Sequence, residues 1–539
     1  MTNPEHSSGP QHGTRQGHGT AQHSTAGSSA RHAPLRGRTV LGAAALAAAL
    51  AVTAPLTASA SADTAASRPT ALRWTDCGPG ADPRQQCATV AVPLDHEDPH
   101  GPQITLAVSR IRSQQPGARR GVLLMIPGGP GGSGLNGPSS AAKKLPGEVL
   151  DRYDVVGFDP RGMGRSTPVS CGLAHEDLAL VNLRPWPAPD GSIDGNLATA
   201  RRIADACARN GGPVLRSIST ANEARDIDRI RRALGETRIS TWGVSYGTYA
   251  GAVYAQMFPG RTDRVVLDSN DDPDPTRVAR GWMANFSVGV EDRFPDFARW
   301  AAEPGNPLRL ARTADEVRPM FLDLAARLDR EPIPWEGANP AVLNGNVLRQ
   351  TLLDSLYSDQ RFPALAQLVL AARGSAPLPA APAVPDAVLQ NTVAVSAATL
   401  CNDVTWPGSV PALRKDVAAD RARYPLTAGM PVNVMPCAYW PARPAEPPVR
   451  ITPDGPSNVL LIQNLRDPAT PYSGALKLRQ AFGQRATMVA VDSGGHDAYR
   501  ANGNACGDRL VTDFLVTGAR PRHDVSCPAE PGRPGVTES

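Results

Sequence analysis

The sequence predicts an α/β fold, a mostly parallel sheet with flanking helices that is interrupted by a large helical insertion. Short β-branched runs alternate with helical patterns up to about residue 272. A helical block with Pro/Ala-rich spacers follows, and strand–helix–strand patterning resumes near residue 458.

The chain has 539 residues and a formal net charge of +4, with no Lys/Arg tract dense enough to follow a phosphate backbone. Nucleic acid is therefore not an expected partner. The first sixty residues differ from the rest. A His-, Gly- and Ser-rich leader precedes Arg36 and Arg38, an apolar run over 40–56, and Ala58-Ser59-Ala60-Ser61-Ala62. A basic region, an apolar region and an A-x-A site predict a signal peptide over 1–62, cut after Ala60 or Ala62. An uncleaved anchor is disfavoured because the run is short for a full span. The expected product is secreted and extracellular, with no stable membrane insertion after cleavage. His6, His12, His18, His23 and His32 leave with the leader and carry no catalytic weight.

All eight cysteines follow the leader, and none has C-x-x-C or zinc spacing. In an oxidising destination they read as disulfides. Their spacing suggests Cys77–Cys87, Cys171–Cys207, Cys401–Cys437 and Cys506–Cys527, although eight cysteines allow about 105 connectivities.

Strands are expected over 88–94, 103–111, 121–126, 154–158, 239–244 and 265–268, with helices over 227–234 and 248–257. From 273 to 436 the pattern is helical, as over 317–328 and 348–356. A strand over 458–462, a helix over 473–482, a strand over 487–491 and a helix over 509–515 complete the series. A sheet interrupted and then completed in this way implies a cap over its C-terminal edge, where such folds bind ligands.

Residues 239–248, Ile-Ser-Thr-Trp-Gly-Val-Ser-Tyr-Gly-Thr, join a buried strand to a helix through G-x-S-x-G. That context marks a nucleophile elbow of the α/β-hydrolase fold, in which small residues flank a serine on a strained turn. A plain tight turn is the alternative. Ser245 is the expected nucleophile, at a helix N-terminus whose dipole favours a developing anion. The fold requires an acid and then a histidine downstream. Of the two later histidines, His496 follows the strand over 487–491, whereas His523 lies in a polar tail beside Cys527. His496 is the expected base. Asp467 follows the strand over 458–462 and is the expected acid; a helix-capping Asp before Pro468 is the alternative role. Asp492 and Asp497 share the loop of His496, a poorer geometry for orienting its ring.

Donors for an oxyanion are expected in Pro127-Gly128-Gly129-Pro130-Gly131-Gly132-Ser133-Gly134, after the third strand. The backbone N–H groups of Gly129 and Tyr246 are assigned that role. Gly129 to Gly134 also spells G-x-G-x-x-G, with Asp159 about 25 residues on, a dinucleotide pattern. Against it, Pro130 stiffens the turn, an exported chain meets little NAD(H), and Ser245, Asp467 and His496 would go unexplained.

With those residues in place, the sequence resembles the tripeptidyl aminopeptidases of secreting actinobacteria, a branch of the peptidase family that includes proline iminopeptidases. The resemblance rests on Val90-Ala91-Val92-Pro93-Leu94-Asp95, Pro127-Gly128-Gly129-Pro130-Gly131 and Asp159-Pro160-Arg161-Gly162-Met163-Gly164-Arg165-Ser166. Gly243-Val244-Ser245-Tyr246-Gly247-Thr248-Tyr249 and Asp467-Pro468-Ala469-Thr470-Pro471 complete it. It implies a Ser245/Asp467/His496 triad under a helical cap. It also implies that the segment over 437–539 completes the core, after the leader over 1–62, the first core part over 63–272 and the cap insertion over 273–436 that the patterning marks out. Two places depart from it: Pro127 stands where iminopeptidases have His, and Gly494-Gly495-His496-Asp497 replaces the commoner Gly-His-Gly.

The expected function is a serine exopeptidase releasing short peptides, tripeptides by the resemblance, from substrates with a free N-terminus. It needs no metal or organic cofactor. Glu291, Asp292 and Asp403 are candidates to bind the substrate ammonium. Trp282, Trp300, Trp406 and Trp440 could wall the pocket, with cap core the simpler role for each. The nearest rival is a secreted esterase or amidase with the same triad; a binding protein on a decayed hydrolase scaffold is a third reading.

Overall fold

The structure is a computed structural model that describes residues 72–530. The expected leader and its cleavage site lie outside the described residues. Twelve strands are present among the described residues: β1 (Thr75–Asp76), β2 (Gln86–Pro93), β3 (Gln103–Ile111), β4 (Gly121–Ile126), β5 (Tyr153–Phe158), β6 (Ile239–Val244), β7 (Thr262–Asp268), β8 (Ile333–Pro334), β9 (Val342–Leu343), β10 (Val459–Arg466), β11 (Ala486–Gly494) and β12 (Val525–Cys527). Ten form one sheet in the order β1-β2-β3-β5-β4-β6-β7-β10-β11-β12. The pairs from β1 to β5 are antiparallel and every pair from β5 to β12 is parallel. This is an α/β-hydrolase sheet.

Side chains alternate across each strand, so one run of apolar residues supplies two cores. In β4, Val122, Leu124 and Ile126 pack on one face, with Ile227 and Ile230 of helix Thr220–Ala233 and Val253 of helix Tyr246–Met257. Leu123 packs on the other, with Ala141, Phe514 and Leu515. Val459 and Leu461 against Leu460 and Ile462 repeat the division in β10.

Between β7 and β10 lie helices Arg280–Ala302, Ala314–Arg330, Gly345–Ser355, Phe362–Ala372, Asp386–Asp403 and Val410–Arg423, and the small β8–β9 pair. Thr313 and Glu316 form a capping box at the start of Ala314–Arg330. The buried residues Val317, Phe321, Leu324, Ala325 and Leu328 then place one apolar stripe on the helix. That stripe joins Phe294, Phe297, Leu352 and Phe362 in a separate core. The helical block is fastened to the sheet where the site lies. Gly289 packs so closely that a Cβ there would meet the Pro468 and Asp467 carbonyls, and Arg466 Nε donates to Asp296 at 2.9 Å.

The stretch between β5 and β6 holds helices Asp194–Asn210 and Gly212–Ser217, which the sequence reading did not anticipate. Its Cys171, Ile203 and Cys207 pack against Val393, Val395 and Ala398 of the Asp386–Asp403 helix. The four disulfides are Cys77–Cys87, Cys171–Cys207, Cys401–Cys437 and Cys506–Cys527, the pairs that the spacing suggested. No helix among the described residues is long and apolar enough to cross a membrane.

Candidate active site

Parallel strands deliver their following loops to one edge, and Gly129, Ser245, Tyr246, Asp467 and His496 all come off that edge. Ser245 follows β6 with φ 58° and ψ −128° and opens helix Tyr246–Met257. A non-glycine residue holds that backbone only when its surroundings enforce it. The surroundings here are tight: a Cβ on Gly243 would run into the Gly247 carbonyl, and one on Gly247 into the carbonyls of Ile126 and Pro127. Both glycines of G-x-S-x-G are therefore required by close approach.

Ile126 at the end of β4 pairs with Gly243, which sets the 127–134 loop beside the elbow. A Cβ on Gly128 would lie 2.9 Å from Cβ of Ser245. The amides of Gly129 and Tyr246 donate to no other group among the described residues. Behind the elbow, the Tyr246 hydroxyl donates to Glu223 Oε2 at 2.8 Å, and burial pushes the Glu223 carboxyl up to about 8. Asp159, the acid of the dinucleotide pattern, is buried and already engaged. Its carboxylate accepts from Ser133 Oγ at 2.5 Å, Leu135 N at 3.2 Å and Arg165 N at 2.9 Å.

Asp467 and His496 meet because β10 and β11 run parallel with Arg466 opposite Gly494. His496 Nδ1 lies 3.0 and 2.9 Å from the two oxygens of Asp467. Asp467 is fully buried and also accepts from Ala469 N, Thr470 N and Thr470 Oγ1 at 2.9, 2.9 and 3.0 Å. An acceptor on Nδ1 puts the ring proton there and leaves Nε2 free as a base. The ring stands edge-on to Tyr357 with centroids 4.9 Å apart, and His496 N donates to the Tyr357 carbonyl at 2.9 Å. Nε2 lies 3.7 Å from Oδ1 of Asp497. Ser245 Oγ makes no hydrogen bond to His496, and such bonds often align only as the transition state forms. His523 is exposed.

Comparison with known proteins agrees with this architecture. Residues 424–527 match the TAP-like protein family. Over 466 residues the chain is 34% identical to the tripeptidyl aminopeptidase of Streptomyces coelicolor, covering 85% of this chain and 86% of that one. The chain belongs to the tripeptidyl aminopeptidase family of α/β-hydrolases. Two further relatives come from Mycobacterium tuberculosis. One, named serine protease Hip1, is 28% identical over 491 residues, covering 85% of this chain and 91% of its own. The other, named carboxylesterase B, is 30% identical over 466 residues, covering 82% and 86%.

As a member of that family the chain is a serine hydrolase, and its electrostatics bear on the chemistry. Burial disfavours the charged imidazolium of His496, but the Asp467 and Asp497 carboxylates outweigh it and raise the ring to about 9. Asp268, at the end of β7, accepts from Ala498 N at 2.7 Å and Tyr499 N at 2.9 Å and so anchors the histidine loop. Burial pushes its carboxyl up to about 7, with Asp497 adding to the rise.

A cavity of about 300 Å³ opens over Ser245. Trp282, Met283, Phe286, Leu400 and Met435 give it an apolar wall, and Leu180, Leu183 and Ile203 from the β5–β6 stretch close another side. Its charged lining residues are Arg184, Asp271 and Asp354. The acidic candidates named from sequence are not among them. Glu291 pairs with Arg318, Asp292 is exposed, and Asp403 accepts from Thr220 N at 2.9 Å and Thr220 Oγ1 at 2.5 Å. Of the four tryptophans, only Trp282 lines the cavity. Trp300 stacks on Phe297, and the indole N–H groups of Trp406 and Trp440 donate to Leu400 O and Asn402 Oδ1. Asp271, Asp354 and Tyr357 were missed; the run of carboxylates after β7 was the only signal for the first.

Proposed function

We propose that the chain is a secreted serine exopeptidase that removes short peptides, tripeptides in the first instance, from free N-termini through an acyl-enzyme on Ser245. The observation that carries this reading is the Asp467–His496 pair, set at the mouth of the same strand edge as the Ser245 elbow and roofed by helices. His496 takes the Ser245 proton as the oxygen attacks the acyl carbonyl, and Asp467 stabilises the resulting imidazolium. The Gly129 and Tyr246 amides receive the oxyanion. His496 then protonates the leaving amine, and water attacks the ester. Each step uses side chains and backbone amides of this chain, and none calls for a metal.

The exopeptidase element is supported by the cap over the site and by the name of the Streptomyces coelicolor relative. Secretion is supported by four disulfides, which persist in oxidising compartments. A second reading, an esterase acting on small molecules, is favoured by the apolar wall of the cavity and by the carboxylesterase relative. Digestion of an unblocked decapeptide and its N-acetylated twin, followed by mass spectrometry, separates them. Stepwise loss of tripeptides from the unblocked peptide alone supports the exopeptidase. Two intact peptides beside rapid turnover of p-nitrophenyl butyrate favour the esterase.

A further inference from the structure

Asp268 ends β7 and Asp271 and Asp272 follow it closely, and the partners of the three differ. Asp268 is held by two backbone amides, and Asp272 is paired with Lys477. Asp271 has neither kind of partner. Its backbone N–H donates to Thr248 Oγ1 at 3.0 Å, and that hydroxyl in turn donates to the Ser245 carbonyl at 2.6 Å, so the residue is held against the nucleophile elbow. Its side chain receives no hydrogen bond and forms no ion pair among the described residues, although only 6% of the residue is exposed. The small exposed remainder faces the cavity, which Asp271 lines together with Ser245.

A buried carboxylate without a donor is costly, and proteins keep one where a ligand completes it. The other charges in the cavity are already matched. Arg184 Nη1 bonds Asp354 Oδ1 at 2.7 Å, and the second Asp354 oxygen accepts from Gln350 Nε2 at 2.9 Å. Lys477 is paired with the neighbouring Asp272. An apolar cavity with one unmatched carboxylate selects a substrate that brings a cation.

We propose that Asp271 is a specificity residue that seats a positively charged group of the substrate beside Ser245. The cation is either the free α-ammonium of the peptide or a lysine or arginine side chain, since both offer the same N–H donors and charge. Burial pushes the Asp271 carboxyl up to about 8, opposed by the nearby His496 ring and reinforced by Asp467 and Asp272, and a bound cation supplies the compensation that burial removed. The idea rests on the peptidase reading only for its choice of substrates.

The test compares specificity ratios in wild type and Asp271→Asn. One ratio is kcat/KM for Ala-Pro-Ala-p-nitroanilide over its N-acetylated form. The other is kcat/KM for the p-nitrophenyl ester of Nα-acetyl-lysine over that of Nα-acetyl-norleucine, which reads the cation even if no peptide is cleaved. Collapse of either ratio by at least about tenfold is expected, and which one collapses names the source. Both ratios unchanged overturns the proposal, including the case where all rates fall together through a merely structural role. Failure of wild type on every peptide, with esters turned over, defeats the peptidase reading while the ester ratio still decides Asp271. Should Asp271→Asn not fold, the wild type suffices: n-butylammonium is expected to slow fluorophosphonate labelling of Ser245 more than n-butanol does, and equal effects overturn the proposal.

Discussion

Both carboxylate oxygens of Asp467 lie within 3.0 Å of Nδ1 of His496, on a side chain with no exposed surface. The bond ties the loop after β10 to the loop after β11 and decides which ring nitrogen carries the proton. Asp467→Asn keeps the size but offers an amide where Nδ1–H needs an acceptor. It is expected to lower kcat by about 10³- to 10⁴-fold with little change in melting temperature. Steady-state kinetics beside a thermal melt check this; a loss under tenfold would place the orienting acid elsewhere.

The pH dependence follows from the charge around His496. The base acts only when neutral, and the two nearby carboxylates keep it protonated to about 9. Activity is therefore expected to rise with pH along a limb displaced above the ordinary imidazole value, toward 9. Asp497→Asn removes one of the charges that raise the ring, so the limb should move to lower pH. A kcat/KM profile of the two proteins reads the shift, and superimposed limbs would deny Asp497 that influence.

The glycine loop after β4 touches Ser245. A methyl group at position 128 would stand 2.9 Å from Cβ of Ser245, closer than two carbons approach. Gly128→Ala is expected to displace the loop that carries the Gly129 amide and lower kcat by about 10²- to 10³-fold. Unaltered kcat would argue that the oxyanion is held by other donors.

Cys401–Cys437 joins the Asp386–Asp403 helix to the segment that leads back to the sheet, and both cysteines line the cavity. A loop of that length is worth about 4 kcal/mol of constraint on the unfolded chain. The double substitution Cys401→Ala/Cys437→Ala should lower the denaturant midpoint accordingly, and an unmoved midpoint would show the crosslink to be neutral.

The sheet was legible because its strands are bounded apolar runs. Residues 103–111, 121–126 and 239–244 have the expected limits, and both faces of β4 are filled by one sequence run. Ser245, Asp467 and His496 share one edge of the sheet because each follows such a run where the loops gather. The β5–β6 stretch was not. Its helix Asp194–Asn210 buries mainly alanines beside Ile203 and Cys207, a weak apolar stripe. Charge was read less well still. Glu291, Asp403, Asp272 and Asp271 are alike as letters, and what separates them is that Arg318, Thr220 and Lys477 satisfy the first three.

The most direct test of the Ser245 exopeptidase is hydrolysis of Ala-Pro-Ala-p-nitroanilide, free and N-acetylated, by the mature protein and by Ser245→Ala. The triad and its capped cavity predict turnover of the free peptide by wild type alone, with the acetylated peptide and the variant inert. Equal turnover of both peptides would contradict the exopeptidase, and activity surviving in Ser245→Ala would contradict the nucleophile itself.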